Sequence, residues 1–232
     1  MNQTLYIIHG WTYSIEPWSK TVALLRDAGM SSVIQLRVPG LTSPSDKVYD
    51  IDDYVAWLDD QLHNIEKPIV LAHSNGGRIA MHYLEKYPDK FGRLILLDSA
   101  GIELGGRKLS KKRQLVKIAA KLLKPLKYLP GVRKAVYRLL GSDYGAAPKN
   151  MQKTLANMLA SDHNFDPSFI TTPTDILWGE DDQITPPAMA RKLHQQIANS
   201  SLKLIPKWQH APYRTHPEQL AHEILKILEV KR

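Results

Sequence analysis

The sharpest chemical signal in the sequence is Ala72-His73-Ser74-Asn75-Gly76-Gly77, which follows an apolar run and opens an amphipathic one. A serine on a sharp strand-to-helix turn presents its hydroxyl as a nucleophile, and small neighbours let the chain turn. Gly76 and Gly77 shape that turn, because a side chain at Gly76 would collide with the neighbouring strand. The start of the following helix favours negative charge developing beside Ser74. The competing role for Ser74 is a plain helix N-cap. His73 is read as shaping the turn rather than titrating in a reaction.

A serine nucleophile of this kind takes an acid and then a histidine from later in the chain. Gly179-Glu180-Asp181-Asp182-Gln183-Ile184-Thr185-Pro186 offers three acids, and the spacing G-x-x-D-x-x-x-P points to Asp182. Glu180 and Asp181 are read as solvated loop charges. Trp208-Gln209-His210-Ala211-Pro212 places His210 in a loop before the last helix, within reach of Ser74. His63, His82, His194, His216 and His222 lack such a context and are expected on surfaces. Asp98, at the end of another apolar run, is taken as structural, with a role as the triad acid as its alternative. Near the N-terminus, His9-Gly10-Trp11 supplies a small residue at a strand end. There the N–H groups of Trp11 and Asn75 would form an oxyanion hole; an ordinary β-turn is the alternative.

These residues need a scaffold, and the apolar runs supply one. Residues 4–8, 32–38, 68–72, 93–98, 173–178 and 202–205 are short apolar runs bounded by turn residues, as buried parallel strands should be. Helical patterns lie between most of them, such as Tyr54, Val55, Leu58 and Leu62 on one face. Such alternation predicts a mostly parallel sheet covered by helices on both faces. The interval 103–170 breaks the alternation. It is too long for a structureless loop and reads as a helical insertion, with Leu115, Ile118, Leu122 and Leu126 in one pattern and Met151, Leu155 and Met158 in another. The expected organisation is a core of 1–102 and 171–232 with 103–170 as a cap.

Composition narrows the classes further. The 232 residues contain no cysteine, which excludes a disulfide scaffold and a thiol nucleophile. No His-x-x-x-His or similar spacing suggests a metal, and no cofactor is implied. No run of 18 apolar residues predicts a membrane span, and the charge-free residues 1–15 lack the basic region of a signal peptide, so the cytoplasm is the expected location. The net charge of +8 is concentrated: 107–138 holds twelve Lys or Arg and no acid, while the remainder carries 19 basic and 23 acidic residues.

Taken together, HGW, AHSNGG, LLDSAG, WGEDDQITP and QHAP followed by PE occur in an order that resembles the α/β-hydrolase family with a helical cap. The resemblance covers nearly the whole chain. It implies six parallel strands in the order 2-1-3-4-5-6, with the family's two leading antiparallel strands missing. It also shows Gln209 where a glycine is usual, adding bulk near the acyl pocket. It implies a serine hydrolase, with carboxylic esters as the broadest substrate class. On the same triad, C–C bond hydrolysis, thioester or lactone cleavage are alternatives, and a non-catalytic ligand-binding homologue is another. A serine in place of aspartate speaks against haloalkane and epoxide chemistry. The expected partner is a small-molecule ester. The basic segment 107–138 carries no nucleic-acid motif, and beyond a solvated helix face its functional reading is weak association with an anionic membrane.

Overall fold

The computed structural model describes residues 4–104 and 147–228. Six strands form one sheet: β1 Thr4–Ile8, β2 Ser32–Leu36, β3 Ile69–His73, β4 Arg93–Leu97, β5 Thr174–Gly179 and β6 Ser200–Ile205. Every pairing is parallel, and the order is β2-β1-β3-β4-β5-β6, as expected. The predicted strands differ from these by a few residues at their ends.

Side-chain alternation divides the core into two layers. Leu5, Ile7, Leu71, Ile95, Leu97 and Leu177 pack with helix α1 (Ser19–Asp27) and a C-terminal helix, Pro217–Ile227. Tyr6, Ile8, Val70, Ala72, Leu94, Leu96, Ile176 and Trp178 point the other way. They meet α2 (Ile51–Leu62), α3 (Asn75–Lys86) and a helix at Pro187–Gln196. Central strands buried on both faces need apolar residues at every position, hence their unbroken runs. The two outer strands do not match that expectation: β6 alternates half-buried and exposed residues, and Ile34 of β2 is exposed. An edge strand keeps one flank in water, so polar residues such as Lys203 belong there.

Part of the insertion is described. Helix α4 (Lys149–Ser161) buries Met151, Thr154 and Met158 against the core, while Leu159 stays exposed. Three side chains one turn apart fasten it to the loop before α2. Asn150 Nδ2 donates to the carbonyls of Ser45 (3.0 Å) and Lys47 (3.2 Å). The Tyr49 N–H donates to Thr154 Oγ1 (2.9 Å), and Asn157 Nδ2 donates to the Tyr49 carbonyl (3.0 Å). The predicted helix over 115–126 and the basic segment 107–138 lie outside the described residues.

The chain order carries the first consequence for function. From β1 the chain moves outward to β2 and then returns to the other side of β1 as β3. Loops leaving β1 and β3 diverge at such a switch point, and the crevice beyond the carboxyl ends of the strands is where open α/β sheets bind ligands. His9-Gly10 leaves β1 there, and Ser74 leaves β3.

Candidate active site

Ser74 sits between β3 and α3 with φ +52° and ψ −119°, a left-handed conformation rare for a residue with a side chain. Main-chain bonds hold it there: its N–H donates to the Leu97 carbonyl (3.1 Å), and its carbonyl accepts from Ala100 (2.9 Å) and Gly77 (3.0 Å). The turn is possible because α3 approaches β1 without a side chain between them. A Cβ on Gly76 would stand 2.2 Å from the Ile8 carbonyl oxygen, and one on Gly77 1.9 Å from Ser99 Oγ. Gly10 is equally confined, with His73 Nδ1 and Ser74 Cβ each 2.8 Å from where its Cβ would be. The main chain at Gly10-Trp11 therefore passes directly beside Ser74.

The Ser74 hydroxyl does not cap α3. It meets His210 Nε2 at 2.9 Å, across 136 residues of chain. His210 Nδ1 lies 2.8 Å from Asp182 Oδ2. Asp182 is fully buried and well supplied with donors: Oδ1 accepts from the N–H groups of Ile184 (2.7 Å) and Thr185 (3.0 Å), and Oδ2 lies 2.7 Å from Thr185 Oγ1. With Asp182 Oδ2 as its acceptor, the His210 imidazole is oriented so that Nδ1 carries the proton and Nε2 faces the serine. Thr185 Oγ1 also sits 3.1 Å from His210 Nδ1 and 3.0 Å from the Asp98 carbonyl. Its part was not read from the sequence; the signal was a hydroxyl residue three positions after the acid, where a turn of this type closes. Glu180 and Asp181 are exposed, as loop charges should be.

The acid and histidine loops are packed on each other. Gly179 approaches so closely that a Cβ would meet the Trp208 carbonyl at 2.3 Å, and the Asp181 N–H donates to that carbonyl (3.0 Å). Trp178 Nε1 donates to the Thr185 carbonyl (2.7 Å). Gln209, expected beside the acyl pocket, is exposed.

Asp98 takes a different position. Its side chain is fully buried, with Oδ1 accepting from the Gly179 N–H (2.8 Å) and Oδ2 without a partner. Burial, reinforced by the Asp182 charge, pushes its carboxyl well above the usual range. Its bond to Gly179 ties the end of β4 to the end of β5, while His210 Nδ1 is met by Asp182.

Two further histidines brace the site. His73 is buried in a ring of Trp18, Tyr213 and His210. Its Nε2 lies 2.7 Å from the His210 carbonyl, which can only accept, so Nε2 carries the proton and Nδ1 is bare. Burial drives its pKa far below the ordinary value, so the ring is neutral. It therefore supports the loop that carries His210. His9 Nδ1 donates to the Gly10 carbonyl (2.8 Å), and its Nε2 meets Thr42 Oγ1 (2.7 Å), which also accepts the Val38 N–H (3.0 Å). This chain stitches the loop after β1 to the loop after β2. Burial lowers the His9 pKa as well. Of the histidines expected on surfaces, His63, His194 and His222 are exposed, whereas His216 is half-buried and so is His82, against Phe165 (4.2 Å between ring centroids).

Asn75, the first residue of α3, has no intrahelical acceptor for its N–H, as at any helix start. A buried ion pair absent from the sequence reading stands behind it. Arg78 and Asp162 meet through two bonds, Nε to Oδ1 at 2.6 Å and Nη2 to Oδ2 at 2.8 Å, and Arg78 Nη1 donates to Asn75 Oδ1. Among the described residues no cluster of three or more His, Asp or Glu side chains is placed to hold a metal ion.

This arrangement can move a proton from a hydroxyl to an imidazole beside the N–H that opens α3. Known proteins resemble this chain in sequence and in fold. Pimeloyl-[acyl-carrier protein] methyl ester esterase of Neisseria meningitidis serogroup C is 26% identical over 235 residues, covering 94% of this chain and 90% of that protein. An uncharacterised hydrolase of Bacillus subtilis, YugF, is 24% identical, with 98% and 90% covered. Among solved structures, a bromoperoxidase from Bacillus anthracis superposes with a TM-score of 0.71 at 21% identity, covering 99% of this chain and 92% of that one. A thermophilic esterase from Thermogutta terrifontis superposes with a TM-score of 0.69 at 21% identity, covering 99% and 91%. The model of the alpha/beta hydrolase family matches residues 5–223, and the chain belongs to that family.

Proposed function

We propose that the protein is a serine hydrolase that cleaves carboxylic esters through an acyl-enzyme. The observation that carries this reading is the unbroken relay from Ser74 Oγ to His210 Nε2 (2.9 Å) and from His210 Nδ1 to Asp182 (2.8 Å). His210 accepts the Ser74 proton as Oγ attacks the ester carbonyl, and Asp182 stabilises the imidazolium that forms. The N–H groups of Asn75 and Trp11 receive the negative oxygen of the tetrahedral intermediate; in comparable sites one such donor is worth about 3–4 kcal/mol. His210 then protonates the departing alcohol, and water activated by the same imidazole releases the acid.

Among esters, the relative named as a pimeloyl-[acyl-carrier protein] methyl ester esterase favours methyl esters. Thioester, lactone and C–C hydrolysis use the same relay and are separated by substrate rather than by mechanism. The test is a panel of p-nitrophenyl and methyl esters of increasing acyl length, with fluorophosphonate labelling and Ser74→Ala as control. Turnover and labelling that vanish in Ser74→Ala support the reading; labelling that persists assigns the nucleophile elsewhere.

The basic segment 107–138 is proposed to associate weakly with anionic membranes from a cytoplasmic location, on its charge alone. Co-sedimentation with anionic but not neutral vesicles at low salt supports this, and equal recovery from both overturns it.

A further inference from the structure

We infer that Arg78 and Asp162 are positioning residues for the oxyanion side of the site, so that the seating of the insertion reaches the nucleophile. The inference rests on Ser74 as nucleophile and the Asn75 N–H as an oxyanion donor.

Arg78 lies one helical turn after Ser74 and is only 3% exposed. Three of its guanidinium N–H groups are committed: two grip Asp162 in a parallel fork, and one holds Asn75 Oδ1. The fork fixes the guanidinium plane, because both bonds require the two planar groups to lie side by side. The plane in turn fixes the Asn75 amide. Arginine only donates, so Oδ1 faces it and Nδ2 faces away. Asn75 is itself 3% exposed, and Nδ2 is buried without an acceptor. An arrangement chosen for stability alone would satisfy that donor or replace the pair with apolar contacts. Here the constraint falls on the residue directly after the nucleophile, where main-chain N–H direction decides how well an oxyanion is held.

The far end of the link lies in the insertion. Asp162 follows α4 directly, 84 residues from Arg78, and is nearly buried. Displacing α4 from its seat withdraws the carboxylate and releases the guanidinium and the Asn75 side chain together. The insertion thus acts on the reaction through the oxyanion side, separately from any contact it makes with substrate.

The test uses the full chain, p-nitrophenyl acetate as substrate and phenylboronic acid as a tetrahedral mimic. Arg78→Met paired with Asp162→Leu removes both charges and leaves apolar groups of similar size, so no unpaired charge is buried. The expected result is a melting temperature close to the parent's. kcat should be about 10–100-fold lower, boronate affinity reduced by a similar factor, and KM within about threefold. Asn75→Ala should lower kcat similarly in the parent and add little in the paired variant. A paired variant with parental kcat, or with lowered kcat and unchanged boronate affinity, overturns the inference. An active Ser74→Ala would instead overturn the reading beneath it.

Discussion

The two sides of Ser74 are built in different ways. On the proton side, His210 and Asp182 stand on loops that continue β6 and β5, and those loops touch through Gly179 and Trp208. Everything there follows from the register of neighbouring strands. On the other side, Asn75 is held by an ion pair whose acid comes from the insertion, outside the sheet. The first side is fixed by main-chain bonds between loops that neighbouring strands place side by side. The second depends on charge and on one helix staying seated. Geometry that belongs to the sheet is robust; geometry borrowed from an insertion is adjustable.

The largest expected effect breaks the proton side. Ser74→Ala or His210→Ala should each lower kcat by about 10⁴–10⁶-fold, with little more lost when both are changed, because the groups act as a unit. Burst kinetics with p-nitrophenyl acetate measure this, and additive losses would contradict a shared relay.

Next, the two buried carboxyls should part company. Asp182→Asn should cost about 10⁴ in kcat by presenting the wrong tautomer of His210. Asp98→Asn should leave kcat within a fewfold of the parent. It should also change stability in a defined sense. The folded pKa of Asp98 lies well above its unfolded value, so the stability it confers is present below about pH 4 and is lost as pH rises toward the folded pKa. Asparagine carries no such loss, so denaturation at pH 8 should show Asp98→Asn to be at least as stable as the parent. A larger kcat loss for Asp98→Asn than for Asp182→Asn would reverse the two assignments.

The elbow itself offers a backbone test. Gly76→Ala puts a carbon 2.2 Å from the Ile8 carbonyl, which cannot yield without parting α3 from β1. A stability loss of about 3 kcal/mol, or failure to fold, is expected in urea denaturation. A fully stable Gly76→Ala would mean that the close approach is dispensable.

The smallest effect concerns His73. Its folded pKa lies well below the unfolded value near 6.5, so the stability it lends is complete above that pH and drains away as pH falls toward the folded pKa. His73→Gln should flatten the decline in stability between about pH 6.5 and 5. It should also lower kcat modestly by loosening the His210 carbonyl. An unchanged pH profile would place the titrating group elsewhere, with His9 the next candidate.

How much of this was legible in the sequence follows the same division. The central strands, the Ser74 turn, and the loops bearing Asp182 and His210 are local patterns: apolar runs ended by glycine, serine or acid at fixed offsets. Each states its own place in the chain, and the parallel sheet gathers the ends at one edge. The edge character of β6 had one sign, Lys203 inside LKLI, which breaks the apolar run that a central strand needs. Arg78 and Asp162 were silent for a stronger reason. Each looks like an ordinary helix charge, and only the folded chain brings them within 3 Å of each other. Thr42 was silent because a hydroxyl in a loop carries no sign of the imidazole it will meet, 33 residues away.

The attachment of α4 has a consequence for exchange between relatives. Asn150, Thr154 and Asn157 bind main-chain atoms of residues 45–49, not their side chains. This attachment asks only for the loop's path, since any residue but proline supplies the same N–H and carbonyl; Tyr49 is kept for another reason, its stacking on Tyr54. A foreign insertion grafted onto this sheet needs no matching loop sequence. It needs two amides and a hydroxyl at one-turn intervals, and an acid a few residues later to meet Arg78.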